Sequence, residues 1–173
     1  MRALIDWTLK WWLWLALATS AAMLAIAHAF QTFGGLSPCE LCLKQRTAYW
    51  AALAISLAVI AARRYAPTRK TLGPLLGLAL AVTFAIGCGI AVYQAGAEWK
   101  WWPGPESCSG AALNASAVDL KAFLSNKAPI HVVRCDEASW RFLGLSMAGW
   151  NALISLKLAG WSLAWAGWSR RHD

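Results

Sequence analysis

Cys39-Glu40-Leu41-Cys42 sets two thiols three residues apart, directly after Pro38. A C-x-x-C pair alternates between a small disulfide ring and a reactive thiolate, so its natural chemistry is thiol–disulfide exchange. Cys108 and Cys135 lie in the one long polar stretch of the chain, and Cys88 sits inside an apolar run. Arg46 follows Cys42 by four residues. On a helix the two share a face, so Arg46 is placed to stabilise a Cys42 thiolate or the negative charge on a reduced carrier beside it. The competing reading of Arg46 is an interfacial residue that snorkels. Lys44 points elsewhere and reads as an anchor.

Context removes several other chemistries. Covalent haem attachment needs His after the second Cys, and Leu43 stands there. A zinc site built from four cysteines would need all of them held reduced, so no metal is expected. Four cysteines can pair in three ways. Nearness makes 39–42 with 108–135 the resting choice, and a purely structural disulfide is the competing reading for each pair. Read as redox groups, the two pairs form a relay. A partner dithiol attacks the loop pair, electrons pass to Cys39–Cys42, and Cys42 reduces a two-electron acceptor dissolved in lipid.

Lipid enters through the elements that must carry these residues. The chain has 173 residues, enough for one domain, and is 59% hydrophobic with 13 Trp, too apolar for an ordinary soluble domain. Residues 11–30, 47–62 and 71–97 hold no Asp, Glu, Lys or Arg, and 142–166 hold only Lys157. A membrane-crossing helix needs about 20 such residues. The expected fold is an all-α integral membrane protein, a four-transmembrane-helix bundle forming a single membrane domain over 1–173. Its spans are expected at about 11–30, 43–62, 72–95 and 142–166, with outer loops at about 31–42 and 96–141. Ser116-Ala117-Val118-Asp119 has capping-box character, and the segment to Asn126 reads as a short amphipathic helix in the long loop.

Charge orients the bundle. Residues 1–10, 63–70 and 169–173 carry eight Lys/Arg in 23 positions, whereas 31–46 and 95–141 carry seven in 63. Positive residues concentrate in cytoplasmic loops. Both termini and the 63–70 turn are therefore expected inside, and four of the five cysteines outside, where disulfides persist. The net charge of +8 is thus a topology signal and not a nucleic-acid footprint. Ala27-His28-Ala29 resembles a signal-peptidase site, but the preceding run is long for a signal peptide, and an uncleaved first helix is the reading adopted.

Gly73, Gly77, Ala81, Ala85 and Gly89 recur every four residues, a small-residue row expected to pack another helix closely. Trp7, Trp11, Trp12, Trp161, Trp165 and Trp168 read as one interfacial aromatic belt; Trp99, Trp101, Trp102 and Trp140 read as the other. Cys88 reads as a small packing residue.

Three separated motifs resemble the DsbB family of quinone-linked disulfide-bond formation proteins. They are Pro38-Cys39-Glu40-Leu41-Cys42 with Gln45-Arg46, Trp-Pro-Gly-Pro-Glu-Ser-Cys108, and Cys135 followed by Trp140-Arg141-Phe142-Leu143-Gly144-Leu145-Ser146-Met147 and Trp150-Asn151. The resemblance implies an enzyme of the bacterial inner membrane with its cysteine pairs on the periplasmic side. It implies that Cys108 forms a mixed disulfide with a DsbA-like periplasmic thioredoxin-fold oxidase, and that Cys135 exchanges with Cys39. It also implies that Cys42 meets ubiquinone (or menaquinone), with Arg46 as the binding partner of that cofactor. One departure stands out. Relatives commonly carry a His near the outer end of the third helix, where this chain has Tyr93-Gln94-Ala95, so a charged group at that place is replaced by a neutral hydrogen-bonding one. The alternative function is a non-enzymatic membrane transporter or assembly factor with merely structural disulfides. A transporter would more often show paired polar groups at mid-depth.

Overall fold

The computed structural model describes residues 2–65, 72–105 and 135–172. Among these the chain is mostly helical: α1 (Arg2–Lys10), α2 (Trp12–Thr32), α3 (Glu40–Tyr65), α4 (Leu72–Glu98), then strands β1 (Arg141–Phe142) and β2 (Leu145–Ser146), and α5 (Met147–His172). Three helices, Trp12–Thr32, Glu40–Tyr65 and Gly73–Glu98, are long and apolar enough to cross a membrane. Lacking a polar face, α2 and α4 need apolar surroundings on every side. The fourth expected span, α5, is 26 residues long but more polar, with Asn151, Lys157 and three serines along it. The expected amphipathic helix at 116–126 and Cys108 lie outside the described residues.

Contacts along the helices give an up-down-up-down bundle. Arg46 of α3 reaches Ala27 and Gln31 of α2, Cys42 of α3 meets Gln94 of α4, and Gly77 and Gly87 of α4 face Ala166 and Ser155 of α5. Each consecutive pair therefore runs antiparallel. The α4–α5 seam is the most extensive. The apolar core runs through the bundle with Leu13, Ala16, Tyr49, Val59, Leu80, Phe84 and Trp165 at its centre.

Two expectations about this core change. The four-residue small row does not stay on the seam, because each step of four advances about 40° round a helix of 3.6 residues per turn. Gly77 and Ala81 are buried while Ala85 and Gly89 are exposed, and the packed face continues through Phe84, Gly87 and Ala91. The first Trp group is also not a simple belt. Trp7 and Trp11 are exposed, but Trp12 and Trp165 belong to the core; Trp12 stacks on Trp161 at 6.0 Å, and Arg63 lies 5.0 Å over the Trp165 ring. Cys88 packs as expected, its thiol donating to the Ala152 carbonyl of α5 at 3.4 Å.

The helix ends that frame the cysteines are set by local chemistry. α4 stops in a Schellman turn: Lys100 adopts φ 62°, its N–H donates to Ala97 O at 3.0 Å, and the Trp101 N–H donates to Gly96 O at 2.9 Å. The Lys100 ammonium then reaches Asp136 Oδ2 at 2.7 Å, tying the residue beside Cys135 to the end of α4. The last helix begins at Met147, not at 142, because residues 141–146 form a hairpin. Leu143 and Gly144 both have positive φ (51° and 82°), as a two-residue type I′ turn requires, and Arg141 pairs with Ser146. Ser146 closes β2 and caps α5, its Oγ accepting the Gly149 N–H at 3.2 Å.

Candidate functional site

Cys39 occupies the N-cap position of α3. Its carbonyl accepts the Leu43 N–H at 3.1 Å, and its sulfur accepts the Cys42 N–H at 3.2 Å, the role usually taken by a Ser or Asp oxygen. The C-x-x-C spacing is thus also the N-cap-to-N3 spacing. Cys39 is 5% exposed, whereas Cys42, one turn in, is half-buried; both are free thiols. The Cys39 thiol is pushed well above its ordinary pKa, first by its hydrogen bond with the Cys42 side chain and then by burial, against the downward pull of the helix N–H groups. Only the thiolate attacks alkylating agents. In the reduced protein, a brief iodoacetamide pulse at pH 7 should therefore modify Cys42 well before Cys39. Raising the pH should speed Cys39 labelling, read by peptide mass mapping. Equal labelling of both at pH 7 would contradict the assignment of proton and burial.

Cys135 completes the cluster. It is disulfide-bonded, 1% exposed, and packs with Cys39 and Leu41, with Cys42 and Ile90 against them. The fold thereby brings three cysteines, one of them 93 positions further along the chain than the other pair's second member (135 less 42), to one end of the bundle. The cluster opens onto a small cleft lined by Cys39, Cys42, Gln94, Glu98, Trp140 and Met147. Trp140 is held in an aromatic row, 5.5 Å from Phe30 of α2 and 5.7 Å from Phe142 of β1.

Behind Cys42 runs a buried chain of side-chain hydrogen bonds across three helices. The Tyr49 hydroxyl donates to Asn151 Oδ1, Asn151 Nδ2 donates to Gln45 Oε1, and Gln45 Nε2 donates to Gln94 Oε1 at 2.9 Å. Gln94 Nε2 then donates to Glu98 Oε1 at 3.1 Å and to Cys42 Sγ at 3.5 Å. Ser155 Oγ lies 3.0 Å from the Tyr49 oxygen at the far end. All the donors point one way, so each bond polarises the next, and the chain delivers N–H groups to the Cys42 sulfur.

Arg46 sits differently from the sequence expectation. Its guanidinium donates to Gln31 Oε1 at 2.6 Å and to Ala27 O at 3.1 Å, and so turns to α2 and not to Cys42. The oxygen acceptors of α2 are stronger partners for a guanidinium than a thiol is. Lys44 pairs with Glu40 at 2.6 Å. Glu98 was not singled out by sequence, and Gln45 and Asn151 entered only as parts of motifs, with no role given to them. Glu98 stands four residues after Gln94, one helical turn along the same face, which is the signal that points to it. Among the described residues no group of three His, Cys, Asp or Glu is arranged to hold a metal ion.

The arrangement can perform thiol–disulfide exchange: a capped dithiol and a disulfide sulfur share one packed cluster at the end of the bundle. Comparisons with known proteins agree with that chemistry. The family model described as disulfide bond formation protein DsbB matches residues 9–165. The disulfide bond formation protein B of Xanthomonas euvesicatoria pv. vesicatoria is 33% identical over 96% of this chain and 95% of its own. That of Xanthomonas axonopodis pv. citri is 34% identical over the same shares, and that of Methylococcus capsulatus 35% over 83% and 85%. No solved structure matches. With a family match over most of its length and relatives covering nearly all of it, the chain belongs to the DsbB family of disulfide bond formation proteins.

Proposed function

We propose that the protein is a membrane protein-disulfide:quinone oxidoreductase that reoxidises a periplasmic DsbA-like dithiol oxidase and passes the electrons to ubiquinone or menaquinone. The observation that carries this reading is the shared burial of Cys39, Cys42 and Cys135 in one cluster beside a cleft. In the proposed arrangement α2, α3, α4 and α5 are four spans of the bacterial inner membrane. Both termini face the cytoplasm and the cysteine cluster faces the periplasm, with residues 96–141 as the periplasmic loop.

The residues of the cleft suit a quinone. Its walls include Trp140 and Met147, it exposes one face of Cys42, and it contains a buried Glu98 oxygen that has no protein partner. A bound quinone supplies a two-electron, two-proton acceptor. Cys42 is the group assigned to face it, and Arg46, one turn further along α3, is assigned to hold one of its oxygens by leaving the Gln31 and Ala27 acceptors of α2 that it binds in the structure. In the proposed cycle a thiolate of the partner attacks Cys108 of a Cys108–Cys135 disulfide, forming a mixed disulfide and releasing Cys135. The partner's second thiolate releases the oxidised partner and leaves Cys108 reduced. Cys135 exchanges with Cys39, so that the electron pair arrives on the Cys39–Cys42 dithiol. Its neighbour in the bundle, the N–H of Gln94, steadies the charge on Cys42 while the pair is reduced.

Replacing Cys135 tests the order of events. Cys135→Ala removes the group that competes for Cys108, so a mixed disulfide with the thioredoxin-fold partner should accumulate and appear as a heavier band on non-reducing electrophoresis. Absence of the adduct, together with a partner that stays oxidised in cells lacking this protein, would reject the enzymatic reading in favour of a structural disulfide.

A further inference from the structure

The packing leaves one polar group at the site unexplained. Glu98 is 6% exposed; its Oε1 accepts from Gln94, but its Oε2 is sealed from solvent with no hydrogen-bond partner. A buried carboxyl oxygen without a partner is costly, and the protein sites this one on the wall of the cleft that holds Cys39 and Cys42. The neighbouring amide explains its orientation. Gln94 is fixed through its carbonyl by Gln45, so its amino group must serve both Cys42 Sγ and Glu98 Oε1. That leaves Oε2 as the uncommitted oxygen, within the same cleft as the two sulfurs.

Resting on the redox reading above, we propose that Glu98 is the proton acceptor of the Cys39–Cys42 dithiol, taking a proton from the pair as its disulfide forms. With Cys42 already a thiolate in the reduced pair, oxidation breaks one S–H bond, that of Cys39, and makes one S–S bond. Two electrons pass to the two-electron acceptor of the proposed reaction, a quinone, and one proton must leave the Cys39 sulfur. That proton moves from the Cys39 thiol to Glu98 Oε2, directly or across a single cleft water, giving a neutral carboxyl. Glu98 then hands it to the reduced acceptor and regains its charge. The acceptor draws its second proton from solvent at the cleft mouth.

The surroundings leave Glu98 as the carboxyl suited to this step. Among the described residues, the titratable or charged groups facing it are Cys39 and Cys42 at the start of α3 and Glu137 in the segment before β1. Glu137 is exposed, Cys135 does not titrate as a disulfide, and Lys100 is committed to Asp136. From α5 the cleft receives Met147, which is neutral.

The test uses the full chain in detergent with a water-soluble quinone, comparing wild type, Glu98→Gln and Glu98→Asp. Oxidation of the prereduced Cys39–Cys42 pair is followed by rapid alkylation over a range of pH. Glu98→Gln, which keeps the shape and the Gln94 hydrogen bond but accepts no proton, should slow oxidation about 100-fold and flatten its pH dependence. Glu98→Asp should retain the wild-type form of the pH profile. A second readout needs no quinone. With no quinone to take the proton on, the disulfide form of the wild type should keep it on Glu98, so its infrared difference spectrum against the dithiol form should contain a carboxyl C=O band, and the disappearance of that band in Glu98→Gln assigns it. Wild-type rate and pH profile in Glu98→Gln, or no carboxyl band in the wild type, would overturn the proposal. Failure of the wild type itself to reduce quinone would instead overturn the redox reading on which it rests.

Discussion

Cys42→Ser should stop catalytic turnover while leaving a single stoichiometric reaction intact. In the proposed relay the loop disulfide meets the protein partner, and Cys135, disulfide-bonded in the structure, does not need Cys42 to be oxidised at the start. One equivalent of reduced partner should therefore be oxidised per protein molecule, after which the reaction ends at background. The physical reason is that a serine hydroxyl cannot form the second sulfur–sulfur bond. Cys39 is left able to enter a mixed disulfide but unable to resolve it within its own helix cap. Serine is the proper replacement because its oxygen can still accept from Gln94, keeping the donor chain behind it paired. Partner thiols counted after a single mixing, against quinone absorbance, distinguish the outcomes. Sustained quinone reduction by Cys42→Ser would show that electrons leave by another route; loss of the first equivalent as well would point to a collapsed fold.

The second large effect concerns the seam that aligns α4. A methyl group added at Gly77 would meet Trp165 Cε3 at 2.8 Å, Ala166 Cβ at 2.9 Å and the Ala166 backbone at 3.1 Å. The tryptophan is a fully buried core residue and the backbone cannot turn away, so α4 and α5 must separate. Gly77→Ala should destabilise the bundle by about 1–3 kcal/mol. Gly89 is the internal control because it lies in the same four-residue row with nothing within 4 Å of an added methyl. Gly89→Ala should be neutral or stabilising by up to about 1 kcal/mol, since glycine is the poorer helix former. Thermal unfolding in detergent followed by circular dichroism reads both. Equal effects at the two positions would refute the assignment of the seam.

These two glycines also illustrate what could be read from the chain before its fold. The apolar runs announced the long helices because absence of charge over about 20 residues is a strong and local signal. The dithiol was equally visible, since C-x-x-C is contiguous. The four-residue row, by contrast, was legible as a pattern but not as a surface: only the fold separates Gly77 in the seam from Gly89 on the outside. The hairpin before α5 was hidden because Phe142, Leu143 and Leu145 continue the apolar run, and the positive φ at Leu143 is not a preference that a leucine advertises. Arg46 was legible in position and not in direction; the helix face it shares with Cys42 says nothing of the acceptors that α2 offers. The role of Asn151 was least visible, because its partners come from packing between helices distant in sequence.

That distance has a consequence for how the protein is made. Asn151 donates to Gln45 across 106 residues, and the Tyr49 hydroxyl reaches Asn151 across 102. Synthesis proceeds from the N-terminus, so the segment bearing Gln45 and Tyr49 exists before the helix that satisfies it has been translated. During that interval its amide and hydroxyl must find temporary partners, in water, among lipid headgroups or from insertion machinery. Arrival of the last helix ends the wait and fixes the rotation of its predecessors, for unlike apolar faces, a set of matched donors and acceptors fits at one angle only. Translation of α5 thus completes the dithiol's surroundings, and a chain that stops before it leaves a bundle whose reactive end has never been aligned.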